Sequence, residues 1–375
     1  MLIAMLNHDL TSLGYALGRL AGATRFASPE IQKVAALATV SDAWRAYRRD
    51  AGAGNVGPAH QPSTDALSIL LTDDPRRDAV VLWLATHGVP AIAEAATTIV
   101  RMVNATRGFE ADALTLLNAA QDAVAQAPAG GPLTRACGLA DLGPGHPLQG
   151  LARAIAAVDS LITTADFAEA LGHDAILPLP SRSVRHYVAS EPAGCWALNL
   201  ALVARGVVPS VTGIIPRTAF RLDLEDVERS TALIDYSNHA ALASFTELER
   251  VETMVGRGRD ALAGLSRNAR ARDAWGLIVA VGPLRRIQLA RALGLSRAGA
   301  NIQADALARA GLVTLVAGGR IQPAQRQLLV EQPAILEDEP LALATADLDA
   351  SMADIDRLLE RSRCLVSASG GSDPR

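Results

Sequence analysis

Apolar positions recur every three or four residues over long stretches of the chain, the period of a helix with one buried face. From Asn7 to about Arg49 the pattern is interrupted only at Ser28 and Pro29, a good N-cap followed by a residue suited to the first helical position. Two consecutive helices are therefore predicted. The segment 50–64 reads as a loop, and helical stretches follow near 75–87, 89–106 and 110–127, punctuated by Asp73-Asp74-Pro75, by Gly88 with Pro90, and by Gly108. Gly and Pro then concentrate in "APAGGPL" (127–133) and "LGPGHPLQG" (142–150), which marks a boundary. Beyond it, 149–172 and 194–206 read as helices, "DAILPLPSRS" (174–183) as extended, and "GVVPSVTGII" (206–215) as one or two short strands that Pro209 confines to an edge. A long helix is expected from about Ser237 to Leu265.

The pattern sharpens after residue 280. Gly282-Pro283 opens a helix to Leu293, with Ile287, Leu289, Ala290 and Leu293 as its expected buried stripe and Arg285, Arg286 and Arg291 outside it. Gly294 supplies a left-handed stop and Leu295 follows as a core plug. Ser296 caps the next helix, Arg297 to Ala310, whose inner positions are Ala300, Ala304 and Leu307. Gly311 ends it, and "LVTLVAGGRIQ" (312–322) reads as strand, Gly-Gly turn, strand.

The stretch "LARALGLSRAGANIQADALARAGLV" (289–313) resembles the DNA-binding segment of MarR-type bacterial winged-helix regulators. The resemblance covers about 70 of the 375 residues. It implies a helix in the major groove and a wing near the minor groove, with Arg320 at the wing tip. The expected class is mainly α. It comprises a helical bundle (1–130), a helical middle region with a short β element and a linker helix (149–265), a winged helix-turn-helix (266–325) and an acidic, partly disordered tail (326–375). The aromatic content of only 3% supports that class, since sandwiches and barrels rely on aromatic and β-branched side chains.

Charge adds a partner to this picture. Residues 257–326 hold twelve arginines against three acids, whereas 327–375 hold ten acids against four arginines. A clustered positive field attracts polyanions even though the chain as a whole carries −4. The expected partner is double-stranded DNA, bound by a homodimer that the long helix joins. Arg285, Arg286 and Arg291 would hold phosphates. Arg297, Asn301 and Gln303 would read bases, the first two through the pairings that suit guanine and adenine. A transcriptional regulator or a plasmid- or chromosome-associated factor fits this reading, with no catalytic residues, metal or cofactor expected. The competing class is a protein-interaction scaffold that uses the winged helix to bind a partner, and a third is an enzyme with its site in residues 1–250.

Other chemistry finds little support. The seven histidines form neither HxxxH nor HExxH, and no GxGxxG, Walker A or GxSxG segment occurs. "PSRSVRHY" (180–187), near His173 and Asp174, reads as a solvated loop and helix start. "GRGRD" (256–260) reads as a basic break between helices. Cys137, Cys195 and Cys364 lie far apart, and Cys195 beside Trp196 reads as core, as do the four tryptophans. No leader pattern or membrane span is visible, so a cytoplasmic location is expected.

Overall fold

Ser28 and Pro29 divide the first two helices in the computed structural model. Helix α1 (Leu2–Phe26) ends just before them and α2 (Pro29–Ala51) starts on the proline, with the Ile31 N–H donating to Ser28 Oγ at 3.4 Å. The structure describes residues 2–51, 68–128, 130–143, 145–168, 173–179, 182–188, 194–208, 210–264 and 270–324; the acidic tail lies outside them. Asp74 caps α3 (Pro75–His87) by accepting from the Arg76 N–H at 3.0 Å, and α4 (Pro90–Val103) also opens on a proline. Helix α5 (Ala111–Gln126) completes the first set.

The Gly/Pro stretch that marked a boundary holds a short helix, α6 (Pro132–Ala136), fastened to α7 (Gln149–Leu161). Asp159 of α7 accepts from the N–H groups of Leu133 and Thr134 at 2.8 and 3.0 Å and from Thr134 Oγ1 at 2.7 Å. A carboxylate on one helix thus satisfies the open amides of another. Helix α7 ends well before residue 172. Thr163 and Thr164 return their hydroxyls to the carbonyls of Ser160 and Leu161, and turns follow. Such local bonds compete with helical ones.

The extended segment forms a two-stranded antiparallel sheet of β1 (His173–Leu179) and β2 (Arg182–Val188), with Ile176 opposite Arg185. Residues Arg182 to Val188 are therefore strand and not the expected loop and helix start. Helix α8 (Cys195–Arg205) is buried along its length and ends at Gly206 in a left-handed conformation. No strand occurs among the described residues of 206–215. The Asn199 side chain bonds both backbone groups of Ile215, and Ser237 Oγ donates to Ile214 O at 3.1 Å, so side chains take the place of a ladder.

Helix α9 (Asp226–Ala261) starts well before Ser237, where the Glu225 N–H donates to the Glu228 carboxylate at 3.2 Å. It also runs through "GRGRD" without a break. The reason is Gly258, where a Cβ would stand 2.0 Å from Cδ1 of Trp275 on α10 (Ala271–Val281). Trp275 Nε1 donates to Met254 O at 2.7 Å, so the pyrrole edge of the indole is brought against the bare turn. Gly258→Ala is expected to destabilise the fold by about 1–3 kcal/mol, although alanine is the better helix former. Gly256→Ala, which meets nothing within 4 Å, should be neutral or slightly stabilising; urea denaturation of the pair checks this.

One apolar core extends from Leu13 on α1 to Ile321 near the end of the described chain. Helix α2 lies at its centre, against α4, α8, α9 and α10, while α1 lies along α9. All four tryptophans are buried in it. Among the described residues no helix is long and apolar enough to cross a membrane.

Candidate nucleic-acid interface

The C-terminal elements begin where Gly282, at φ 80°, turns the chain out of α10. Two residues of strand follow, β3 (Leu284–Arg285), then α11 (Arg286–Leu293), Gly294 at φ 63°, and α12 (Arg297–Arg309). Strands β4 (Val313–Val316) and β5 (Arg320–Pro323) are joined across Gly318 and Gly319, both at positive φ. The sheet has the order β3-β5-β4, with Leu284 opposite Ile321 and Val316 opposite Arg320. The hairpin was legible in the Gly-Gly pair. Strand β3 was not, because two residues have no period.

Helix α11 is rotated from the expected stripe. Gln288, Leu289, Ala290 and Ala292 are buried, whereas Ile287 is 37% exposed. Gln288 decides the rotation. Its Oε1 accepts from the Arg285 N–H at 2.7 Å and its Nε2 donates to Leu70 O at 2.6 Å, while Ser68 Oγ donates to Pro283 O at 3.1 Å. These polar fasteners hold the start of α11 to the turn before α3, and α11 packs on α4. A buried amide with both ends satisfied fixes orientation more strictly than an isoleucine, which any apolar wall accepts.

On α12 the inner face is Ala300, Ala304 and Leu307, as expected, and Ser296 Oγ accepts from the Gly299 N–H at 3.1 Å. The outer face starts at the exposed Arg297. Ala298, Ile302, Asp305 and Arg309 are exposed along it, with Ile302 at 61%. Asn301 and Gln303 are two residues apart, so at about 100° per residue they point to opposite flanks of that face. Both are half-buried, and Asn301 Oδ1 accepts from Arg286 Nη1 at 3.4 Å. The structure therefore brings Arg286, expected to hold phosphate, to Asn301, expected to read adenine. Gln303 is on the far side from both.

The arginines of this region divide into two groups. Arg257 donates to Gly311 O, Arg259 pairs with Glu30, and Arg270 pairs with Asp273. Arg267 and Arg326 lie outside the described residues. Arg285, Arg291 and Arg297 are exposed and form no ion pair with a described residue. Arg320 is half-buried on the hairpin, opposite Arg285. The exposed positive charge without an acidic partner among the described residues is thus smaller than the sequence count; besides Arg285, Arg291 and Arg297 it includes Arg272 on α10 and Arg309 at the end of α12.

No family model, curated protein or solved structure matches this chain.

Two of the three thiols are buried. Cys195 is 1% exposed, with Sγ 3.4 Å from Ile215 O, and burial pushes the Cys137 thiol up to about 12. Neither presents a thiolate to a substrate. Among the described residues no group of three His, Cys, Asp or Glu is arranged to hold a metal ion.

Proposed function

We propose that residues 271–323 form a winged helix that binds double-stranded DNA, and that the protein is a transcriptional regulator or a plasmid- or chromosome-associated factor. The observation that carries this reading is the pairing of β3 with the hairpin. It gives the order helix, strand, helix, helix, hairpin with a three-stranded sheet, and leaves Arg285, Arg291 and Arg297 on its surface with no ion pair to a described residue.

In this reading Arg285 and Arg291 bind phosphates, which sets affinity and salt dependence, and Arg320 approaches the backbone from the wing. Arg297, at the start of α12, is the best-placed base reader. Asn301 reads bases only after releasing Arg286. A symmetric homodimer through α9 would present two such modules to two half-sites, and a cytoplasmic location fits. No small-molecule effector enters this reading.

Ile287 and Ile302 favour a second reading, in which the same face docks a protein. Apolar side chains at 37% and 61% exposure, with Asp305 beside Ile302, suit a protein surface better than a phosphate backbone. Anisotropy titrations of random-sequence duplex across salt separate the two. DNA binding predicts a log–log salt slope of about −3 to −4 per module, from three or four phosphate contacts at about 0.9 each, and about twice that for a dimer with both modules engaged. No binding at about 50 mM salt would reject it.

A further inference from the structure

A groove of about 460 Å³ runs between α2 and α9, lined by charged and polar side chains set among the small apolar Ala46, Ala240 and Ala243. Asp42, Arg45 and Arg49 line it from α2, at the spacing that puts residues on one helical face. Tyr236, His239, Ser244 and Glu247 line it from α9, and Thr212 and Gly213 close one end. Two helices that met only to bury each other would carry aliphatic side chains on these stripes.

Beneath the groove is a device that holds Arg49. Its Nε donates at 3.1 Å to Asp50, whose side chain is 8% exposed, and Asn199 Nδ2 donates to the other carboxylate oxygen at 3.2 Å. A carboxylate taken out of water is costly unless it is bonded in this way. Arg49 itself is 57% exposed, so Asp50 fixes the direction of a guanidinium whose terminal nitrogens remain open to the groove. Gly213, at φ 60°, lets the 212–213 loop approach it. A Cβ there would lie 2.5 Å from Arg49 Nη2 and 3.1 Å from Ala46 Cβ.

Counting donors and acceptors gives the ligand's chemistry. The carboxylates are engaged: Asp50 as above, Asp42 by Arg45, and Glu247 by two bonds from Arg250. An arginine has five N–H donors, and Arg45 and Arg49 each use only a small part of theirs. The Tyr236 hydroxyl has no hydrogen-bond partner among the described residues. The Nδ1 of His239 is already committed, donating to Asp235 O at 2.8 Å. The groove therefore offers surplus donors from both walls, which an acceptor-rich anion would satisfy.

We propose that this groove binds a small phosphorylated metabolite, its phosphate held by Arg45 and Arg49 with a hydrogen bond from Tyr236. Two guanidiniums one turn apart on α2 face a phenol on the opposite helix, with Arg49 Cζ 6.0 Å from the centre of the Tyr236 ring. That arrangement suits the tetrahedral oxygens of a phosphate better than a planar carboxylate. The groove also exceeds the size of a free phosphate, so the ester's organic part has space along Ala240, Ala243 and Thr212.

Isothermal titration of the full chain with glycerol phosphate, inorganic phosphate, sulfate and a dicarboxylate tests the proposal. Saturable one-to-one binding of glycerol phosphate is expected, weakened about tenfold or more in Arg45→Ala and several-fold in Tyr236→Phe. Arg49→Lys keeps a positive charge beside Asp50 and should also bind weakly while melting like the wild type. Duplex affinity should be the same in all three variants, which separates this site from any DNA-binding surface. Absence of saturable binding in the wild type, equal binding by the variants, or a dicarboxylate binding as tightly as the ester would overturn the assignment.

Discussion

Replacing Arg285, Arg291 and Arg297 together with alanine is expected to weaken binding to random duplex by about 10²–10³-fold at low salt. The log–log salt slope should become shallower by about 1 per lost phosphate contact. The three were chosen because they are exposed and carry no ion pair to a described residue, so their removal leaves no carboxylate stranded. Arg259→Ala is the control. It removes one positive charge from the same stretch of sequence, against three in the triple variant, but this arginine is bonded to Glu30, and its loss should change the slope by much less than a third of the triple variant's effect. If the control and the triple variant behave alike, net charge alone governs binding and the interface is misassigned. If duplex affinity is unaffected by both, the exposed Ile287 and Ile302 become the centre of the surface, and Ile302→Asp should abolish a protein complex instead.

The second large effect concerns stability. Asn199→Ala is expected to cost about 3–5 kcal/mol, because it strands several buried groups at once. The side chain is 4% exposed; its Oδ1 accepts from the Ile215 N–H at 3.0 Å, and its Nδ2 donates to Ile215 O at 2.9 Å and to Asp50. The loss should also depend on pH. Desolvation lifts the Asp50 carboxyl above its ordinary value of 3.8, against the pull of Arg49 and Asn199. With the folded value above the unfolded one, the native state holds the extra proton between them. Stability is then greatest below the unfolded value and declines as pH rises through the folded one. Removing Asn199 raises the folded value further, so the variant's deficit should be larger at about pH 7 than at about pH 4 in urea denaturation. A deficit independent of pH would show that Asp50 is not the group responsible.

Much of this fold is written locally. Ser28-Pro29, Asp74-Pro75, Gly294 and Ser296 act within a turn of where they stand, by capping a helix or by adopting a backbone angle that other residues resist. Their positions in the structure match the reading of the chain. The same holds for the Gly318-Gly319 hairpin. What failed were inferences about which neighbour a face meets. Ile287 looks like core until Gln288 finds Leu70 O, more than two hundred residues away in the chain. Gly258 looks like a helix break until Trp275 lies against it.

The candidate sites divide along the same line. That a helix, a corner, a capped helix and a hairpin follow one another in a basic stretch was determined by the sequence, since each depends on its own few residues. Which arginines acquire a partner was decided by tertiary packing, because Glu30 and the Gly311 carbonyl are brought to Arg259 and Arg257 only by the folded core. The α2/α9 groove gave no sequence signal at all. Asp42, Arg45 and Arg49 have the spacing of an ordinary solvated helix face. Only the approach of α9, and the burial of Asp50 against Asn199 of α8, turns that face into a wall with fixed donors. Local chemistry specifies elements, but a binding surface depends on distances between elements, and those exist only once the core has closed.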